Sequence, residues 1–263
     1  MTPEQFLVTH HVFTRRELAE ALRDSGTERS PRTLSSHLQR WQRRGRITQV
    51  KRGLYVRQEA ADSPIDLLLV ASRMAWDAAL AYHTALEAHG FAQSYFEKLF
   101  FVTWTKTKPL TFRGRDFVPV RPSVALRKAG RRQGWTETLE RRGSTVRVTT
   151  LERTVADVLH RSELAGGLEE AWRSCSAIPG LDLRELEAYV KTLDSRVLGA
   201  KVGFFLERHK DELAVSSSLL ERLRSLAPRV PVYMDRGRRG KRVPQWNLLA
   251  PVELLEGEWE SVA

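Results

Sequence analysis

Polar side chains recur at helical spacing in the segment that follows Ser30. Arg32, Ser36, Gln39 and Arg43 stand at i, i+4, i+7 and i+11, which places them on one face of a helix. Further hydrogen-bonding residues flank this stripe, namely Thr33, Ser35 and Arg40. Guanidinium, amide and hydroxyl groups donate hydrogen bonds to phosphate oxygens and to base edges in a major groove. The pattern therefore predicts a helix face that contacts double-stranded DNA.

Negative charge is missing from this part of the chain. From Ser30 to Arg57 there is no Asp or Glu, whereas an ordinary solvent-exposed helix carries charges of both signs. Residues 1–58 contain twelve Lys or Arg against five Asp or Glu, and residues 105–147 contain twelve against three. Only nine of the 43 basic residues are Lys, and the guanidinium of Arg can bind phosphate through two parallel hydrogen bonds. A polyanionic partner fits this distribution better than a merely solvated surface.

Capping residues predict the helices that position the stripe. Thr14 and Glu17 have the spacing of a capping box, and the helix that they begin is predicted to end at Gly26. Ser30 has the side chain of an N-cap and is followed by Pro31, which is favoured in a first helical turn. The sequence therefore predicts two consecutive helices.

The second of these helices is predicted to reach about Arg44. Its residues Leu34, Leu38 and Trp41 share the side opposite the polar stripe and should face a small core. The stretch "RITQVKRGLYVR" (46–57) then predicts two short strands, with a glycine in the turn that tolerates a positive φ.

Two helices and a basic hairpin follow one another in the order of a winged helix-turn-helix. We therefore expect a DNA-binding domain over residues 1–58. In this arrangement Lys51 and Arg52, at the tip of the hairpin, would lie beside a phosphate backbone or a minor groove. The predicted DNA-contacting residues are Arg32, Thr33, Ser35, Ser36, Gln39, Arg40, Arg43, Lys51 and Arg52.

The rest of the chain predicts a second, larger domain over residues 59–263. The segment 58–66 has the composition of a linker, and a helical run that ends at Gly90 precedes a buried strand in "EKLFFVTWT". Alternating strand-like and helical segments continue to the end of the chain without an internal repeat. The predicted class is α+β, a winged helix-turn-helix followed by a mixed α/β domain.

Catalytic motifs are absent from the sequence. There is no GxSxG, HExxH, P-loop or GxGxxG, and the seven histidines show no metal-ligand pairing with acidic residues. The nearest approach to a nuclease is the ExxK from Glu207 to Lys210, which falls in a predicted helix without a preceding acidic strand residue. Glu152 and Arg153 are expected to form an ion pair that ties a helix start to the sheet. The sequence predicts a binding protein with no catalytic residue, metal or cofactor.

Composition sets further bounds. The chain has 263 residues, 41% of them apolar, which is enough for a hydrophobic core. A single cysteine, Cys175, excludes an intramolecular disulfide and fits a reducing compartment. No apolar run approaches the roughly 18 residues of a membrane span, and Met1–His10 lacks the pattern of a signal peptide. A cytoplasmic protein without contact to a membrane is expected.

Five pieces of sequence, spread over nearly the whole chain, carry a family resemblance. They are "RITQVKRGLYVR" (46–57), "AYHTALEAHGF" (81–91), "VRVTTLERTVADVL" (146–159), "VGFFLE" (202–207) and "WNLLAP" (246–251). Together they resemble the AbiEi family, the antitoxins of bacterial type IV toxin–antitoxin and phage abortive-infection systems. The most specific pieces are "RGLY" and "ERTVAD".

The resemblance implies a two-part protein. The winged helix would bind inverted repeats in the promoter of its own operon and repress it. The second domain would counter a nucleotidyltransferase-like toxin encoded in the same operon, directly or through the target of the toxin. The basic block 105–147 could be a second DNA surface, an RNA-facing surface or a toxin-facing one. Two other functions stay open, a winged-helix regulator without a toxin partner and a nuclease that the winged helix delivers to DNA.

Overall fold

The computed structural model describes residues 1–26, 30–58 and 65–259. Its first part forms six elements, which are α1 (Pro3–Thr9), β1 (Val12–Thr14), α2 (Arg15–Asp24), α3 (Pro31–Arg43), β2 (Ile47–Lys51) and β3 (Leu54–Arg57). The three strands form an antiparallel sheet in the order β1-β3-β2. Most of the predicted linker, residues 59–64, lies outside the described residues.

Capping interactions begin the two central helices as the sequence predicts. The Thr14 hydroxyl accepts a hydrogen bond from the Glu17 backbone N–H at 3.1 Å, and the Glu17 carboxylate accepts one from the Thr14 N–H at 2.6 Å. Ser30 Oγ likewise accepts from the backbone N–H of Thr33 at 3.2 Å. Gly53 has a φ of 82° in the β2–β3 turn. These predicted helix starts and the turn glycine are confirmed.

A compact aromatic core lies beneath α3. Leu34, Leu38 and Trp41 are buried on its inner side, as their spacing predicts. They pack with Phe13 and Tyr55, whose rings stack at a centroid distance of 5.7 Å. Burying these large side chains fixes the rotation of α3 about its axis, and its polar stripe therefore faces away from the core.

The second part begins with α4 (Leu67–Ser72), β4 (Ala79–Leu80), α5 (His83–His89), β5 (Lys98–Val102), β6 (Leu110–Phe112), β7 (Arg115–Val120), α6 (Val124–Lys128), β8 (Thr136–Arg141) and β9 (Ser144–Thr149). It continues with α7 (Leu151–His160), α8 (Leu168–Ser176), α9 (Leu183–Leu193), α10 (Arg196–Arg208), α11 (Ser217–Ser225), β10 (Val232–Tyr233), β11 (Gly240–Val243), β12 (Leu248–Pro251) and α12 (Val252–Leu255). Among the helices of the described ranges, none is both long and apolar enough to cross a bilayer.

The strands of the second part form two sheets of mixed direction. The larger has the order β6-β7-β5-β4-β9-β8, in which the pairs β4–β9 and β5–β7 are parallel and the others antiparallel. The smaller has the order β10-β12-β11, with β10 parallel to β12. Helices and mixed sheets in one chain confirm the predicted α+β class.

The larger sheet separates two hydrophobic clusters. In β5, Phe100 and Val102 face a cluster built with helices α7 to α11, whereas Leu99 and Phe101 face a second cluster built with α4. The alternation follows from the two-residue period of a strand. The second cluster also contains side chains of the N-terminal sheet, which are Val12, Val50, Leu54 and Val56. A shared apolar core therefore holds the N-terminal sheet, and α3 with it, against the larger sheet.

A close contact between α10 and the connection between β11 and β12 depends on a glycine. At Gly203 a Cβ atom would lie 2.2 Å from Cη2 and Cζ3 of Trp246. Trp246 is fully buried, and its indole N–H donates to the Glu207 carboxylate at 2.7 Å, one turn further along α10. The indole ring is thus fixed at both ends and cannot move aside for a methyl group.

We expect Gly203→Ala to lower the free energy of unfolding by about 1–3 kcal/mol, because overpacking outweighs the gain in helix propensity. Gly199→Ala in the same helix is the matched control, since the nearest atom to its Cβ would belong to the Leu226 side chain, at 3.1 Å. Urea denaturation of both variants measures the difference. Equal stability of the two variants would contradict the contact.

Candidate nucleic-acid interface

The solvent-facing side of α3 is polar and basic along its length. Five of the predicted contact residues are exposed there, and we call this set the α3 outer face: Arg32, Ser36, Gln39, Arg40 and Arg43. Thr33 and Ser35, also predicted contacts, are half-buried at its margin. The structure therefore brings these seven predicted residues together on one helix.

The long side chains of the α3 outer face are uncommitted. Among the residues that the structure describes, Arg32, Gln39, Arg40 and Arg43 have no side-chain hydrogen bond or ion pair. Their donors project into water and can exchange it for phosphate or base acceptors without breaking an intramolecular contact.

The hydroxyl groups of α3 are less available. Ser35 Oγ donates to the Pro31 carbonyl at 2.9 Å, and Ser36 Oγ donates to the Arg32 carbonyl at 3.0 Å. Thr33 Oγ1 lies 3.0 Å from Ser30 Oγ. Such bonds to the preceding turn are common for serine and threonine in helices. In this conformation the two serine hydroxyls can accept a hydrogen bond, but they must rotate before they can donate to a phosphate.

Arg15 belongs to the same surface, although it lies outside the helical stripe of α3. Its guanidinium donates to the Pro31 carbonyl at 2.9 Å and to Ser35 Oγ at 3.1 Å, while its backbone N–H donates to the Gly53 carbonyl at 2.8 Å. Arg15 therefore joins the start of α2, the start of α3 and the β2–β3 turn. Its position directly after the Thr14 cap was the available signal.

The two predicted hairpin residues differ in direction. Arg52 is exposed at the β2–β3 turn, without a side-chain partner among the described residues. Lys51 instead donates a hydrogen bond to the backbone carbonyl of Met74, and burial lowers the pKa of its ammonium group. The strand register shifts between Gln49 and Lys51, and such bulges turn a side chain to a new direction. In this structure the Lys51 ammonium group is therefore directed to the Met74 carbonyl, whereas the predicted contact residue Arg52 is exposed.

A groove of about 420 Å³ separates the hairpin from the loop between β5 and β6. Lys51 and Met74 line one part of it, and Lys106 and Lys108 of the loop are exposed along another. Positive charge thus continues from the hairpin onto the second part of the chain.

The remainder of the basic block 105–147 does not form one surface. The β6–β7 and β8–β9 hairpins lie at opposite edges of the six-stranded sheet, which separates Arg113 from Arg142. Arg115 is buried, 4.4 Å from the centroid of the Tyr95 ring and 3.5 Å from the Glu87 carboxylate. Arg141 pairs with Asp66 at 2.6 Å. Several arginines of the block therefore stabilise the fold.

Residues considered for catalysis have structural partners. The Glu207 carboxylate accepts hydrogen bonds from Trp246, Gln245 and Arg224. Within residues 1–26, 30–58 and 65–259, no group of three or more His, Cys, Asp or Glu side chains could hold a metal ion. Glu207 of the ExxK pattern therefore ties α10 to α11 and to the connection between β11 and β12.

The expected Glu152–Arg153 ion pair is not formed. Arg153 pairs with Asp157 one turn along α7, at 3.2 Å, and donates to the Gly134 carbonyl at 2.9 Å. Glu152 accepts a hydrogen bond from the Asp182 N–H at 3.0 Å. The side chains of adjacent residues in a helix point in directions about 100° apart. Glu152 and Arg153 therefore contact different partners.

Comparisons with known proteins give a fold and no family. No protein-family model matches the chain, and no curated protein matches it. Among solved structures, the crystal structure of the RV2827C protein from Mycobacterium tuberculosis matches with a TM-score of 0.58 and 13% identity. The match covers 97% of this chain and 92% of that one. At this identity the likeness establishes a shared fold over nearly the whole length.

Glu4 determines how firmly α3 is held. Its carboxylate accepts a hydrogen bond from the buried Trp41 indole at 3.0 Å and another from Arg46 at 2.6 Å. These two donors lower the pKa of Glu4 below its ordinary value of 4.5. The stabilisation is therefore complete above the unfolded-state pKa and is lost as the pH falls through the lower, folded-state pKa.

We expect Glu4→Ala to cost about 1 kcal/mol at pH 7, a modest value because the carboxylate is largely exposed and water screens its pair with Arg46. The difference from the wild-type chain should shrink as the pH falls below about 4.5. Denaturation with urea across this pH range measures it. Glu4→Gln is the control, because its amide oxygen still accepts from Trp41. A loss of stability in Glu4→Ala that does not change with pH would contradict this role of the ionised Glu4 carboxylate.

Proposed function

We propose that this protein is a DNA-binding repressor of its own operon and an AbiEi-type antitoxin. The observation that carries the DNA-binding half is the α3 outer face, an exposed helix surface whose long donors lack intramolecular partners among the described residues. Its segment of sequence contains no carboxylate. Duplex DNA supplies the acceptors and the opposite charge that this surface lacks.

The order of elements supports a winged helix-turn-helix. In this assignment α2 and α3 form the helix-turn-helix, α3 is the recognition helix, and the β2–β3 hairpin is the wing. With α3 in a major groove, Arg32 and Gln39 would reach base edges, since the side chain of Arg suits guanine and that of Gln suits adenine. Arg52 at the wing would contact the sugar–phosphate backbone.

Two further sets of cations extend the proposed footprint. Arg15 is fixed between the start of α3 and the wing turn, where it would lie beside a phosphate. Lys106 and Lys108 stand on the loop across the groove from the wing and would meet the flanking backbone. Because the N-terminal sheet shares an apolar core with the larger sheet, these positions keep a fixed distance from α3.

The antitoxin half of the proposal is supported by the sequence resemblance. The pieces "RGLY" and "ERTVAD" fall on the wing and on α7, and the weaker pieces "AYHTALEAHGF", "VGFFLE" and "WNLLAP" fall on α5, α10 and β12. The partners are operator DNA with inverted repeats and, directly or through its target, a nucleotidyltransferase-like toxin from the same operon. Binding to chromosomal DNA places the protein in the cytoplasm. A regulator without a toxin is the competing function.

DNA binding is measured by fluorescence anisotropy with the upstream duplex and a scrambled duplex over a range of salt concentrations. With about five phosphate contacts, the slope of log K against log salt should be about −4 to −5. The double variant Arg32→Ala/Gln39→Ala should lose preference for the upstream duplex by roughly 1–3 kcal/mol for each base contact. Arg52→Ala should weaken both duplexes alike and reduce the slope by about 1.

Arg184→Ala, at an exposed position of α9, removes the same charge far along the chain and is the control for net charge. It should leave affinity and preference nearly unchanged. Retention of full preference by the Arg32/Gln39 double variant would show that α3 is not the recognition helix. Loss of binding in the Arg184 variant, equal to that in the Arg52 variant, would indicate unspecific attraction.

Antitoxin activity is tested by co-expression of the full chain with the product of the neighbouring reading frame. We expect the wild-type chain and the Arg32→Ala/Gln39→Ala variant both to restore growth, whereas only the wild-type chain represses a reporter driven by its own promoter. The full chain is used because removing residues 1–58 would expose the apolar cluster shared with α4. If the toxin stays lethal when it is co-expressed with the wild-type chain, the antitoxin role is excluded and the function of a regulator without a toxin partner remains.

A further inference from the structure

A small cavity in the second part of the chain is lined by three arginines. It has a volume of about 140 Å³ and lies between α7, α9 and the segment that follows β7. Arg121, Arg153 and Arg161 line it, together with one carboxylate, Asp157. Positively charged side chains therefore outnumber negatively charged ones in the cavity lining. The residues that line it are distant from α3 in the sequence.

The inner wall of the cavity is a buried network with fixed geometry. The Arg153 side chain is only 2% exposed, and its Nε donates to Asp157 Oδ2 at 3.2 Å while Nη1 donates to the Gly134 carbonyl. The Tyr189 hydroxyl donates to the other oxygen of Asp157 at 2.6 Å. These bonds satisfy the carboxylate and hold the guanidinium plane in place. The second terminal nitrogen of Arg153, Nη2, has no hydrogen-bond partner among the described residues.

The outer wall supplies two more guanidinium groups. Arg121 is exposed and forms neither an ion pair nor a side-chain hydrogen bond within the part of the chain that the structure describes. Arg161 lies 5.7 Å from the centroid of the Tyr82 ring and pairs with Glu163, a largely exposed residue, at 3.1 Å. The pair with Glu163 is solvent-screened and can exchange for a stronger acceptor.

Tyr82 forms part of the cavity in an unusual backbone conformation. Its φ of 56° and ψ of −135° are rare for a residue with a side chain, and such conformations concentrate at binding sites. Burial, and secondarily the nearby Asp157, raises the pKa of the Tyr82 hydroxyl, so that it keeps its proton and remains a hydrogen-bond donor at neutral pH. The cavity thus combines guanidinium forks with a phenol donor.

We propose that this cavity binds a phosphoryl group, either free phosphate or the phosphate of a nucleotide. Its lining carries three positive charges and one negative, and a phosphate monoester with a charge of about −1.5 to −2 near pH 7 balances the difference. Arginine forks bind tetrahedral oxyanions through parallel hydrogen bonds. The volume is that of about five water molecules, which admits a phosphoryl group and leaves a base and sugar outside. This site is independent of the α3 outer face.

Isothermal titration of the full-length, DNA-free protein at constant ionic strength tests the site with inorganic phosphate, adenosine 5′-monophosphate and adenosine. We expect saturable binding of one phosphate-bearing ligand per chain and none of adenosine. Arg121→Ala should weaken it by about ten- to a hundredfold, the effect of losing one charge-assisted hydrogen bond. Because Arg121 is exposed and unpaired among the described residues, thermal unfolding of the Arg121→Ala variant should match that of the wild-type chain.

Arg127→Ala is the matched control, since Arg127 is exposed on α6 and does not line the cavity. It should leave phosphate binding unchanged. Tighter binding of the monophosphate than of inorganic phosphate identifies a nucleotide as the source, and equal or weaker binding identifies free phosphate. Absence of saturation with both ligands up to about 10 mM would overturn the proposal, as would equal losses in the Arg121 and Arg127 variants.

Discussion

Positive charge on α3 has no compensation within its own stretch of sequence, and this imbalance governs how the N-terminal part is built. Leu34, Leu38 and Trp41 must enter the core, so the cationic residues must all face outward together. Repulsion among them is tolerated because water solvates each guanidinium separately and because α3 is held from behind by Trp41 and Glu4. In the proposed complex the same positive charge would become a source of affinity, since binding would release the counterions of the nucleic acid.

The rest of the molecule acts as a platform for this helix. The N-terminal sheet is joined to the six-stranded sheet by a continuous apolar cluster and by the hydrogen bond from Lys51 to Met74. Arg15 links the hairpin turn to α3. In the proposed complex with DNA, little conformational freedom would then remain to be lost, which would favour affinity and fix the spacing between contacts. The second part contains the arginine-lined cavity beside α7.

Local signals predicted local structure well. The Thr14 and Ser30 caps, the glycine of the hairpin turn and the inward side of α3 follow from interactions within a few residues, and the structure has each of them. The outward stripe followed from the same periodicity. The direction of Lys51 could not be predicted, because a bulge and a contact with a residue 23 positions away decide it. The actual partners of Arg153 and the division of the basic block likewise depend on sheet order and helix packing, which no short segment encodes.

The six-stranded sheet ends on one side in β8, whose pairing is with β9 alone among the described strands. An open edge of this kind offers unpaired amide and carbonyl groups to any other extended chain. The sequence of β8, "TETLER", places Glu137 and Glu140 along that edge. Two copies that met there in antiparallel register would bring like charges together, and stacking of molecules edge to edge is thereby opposed.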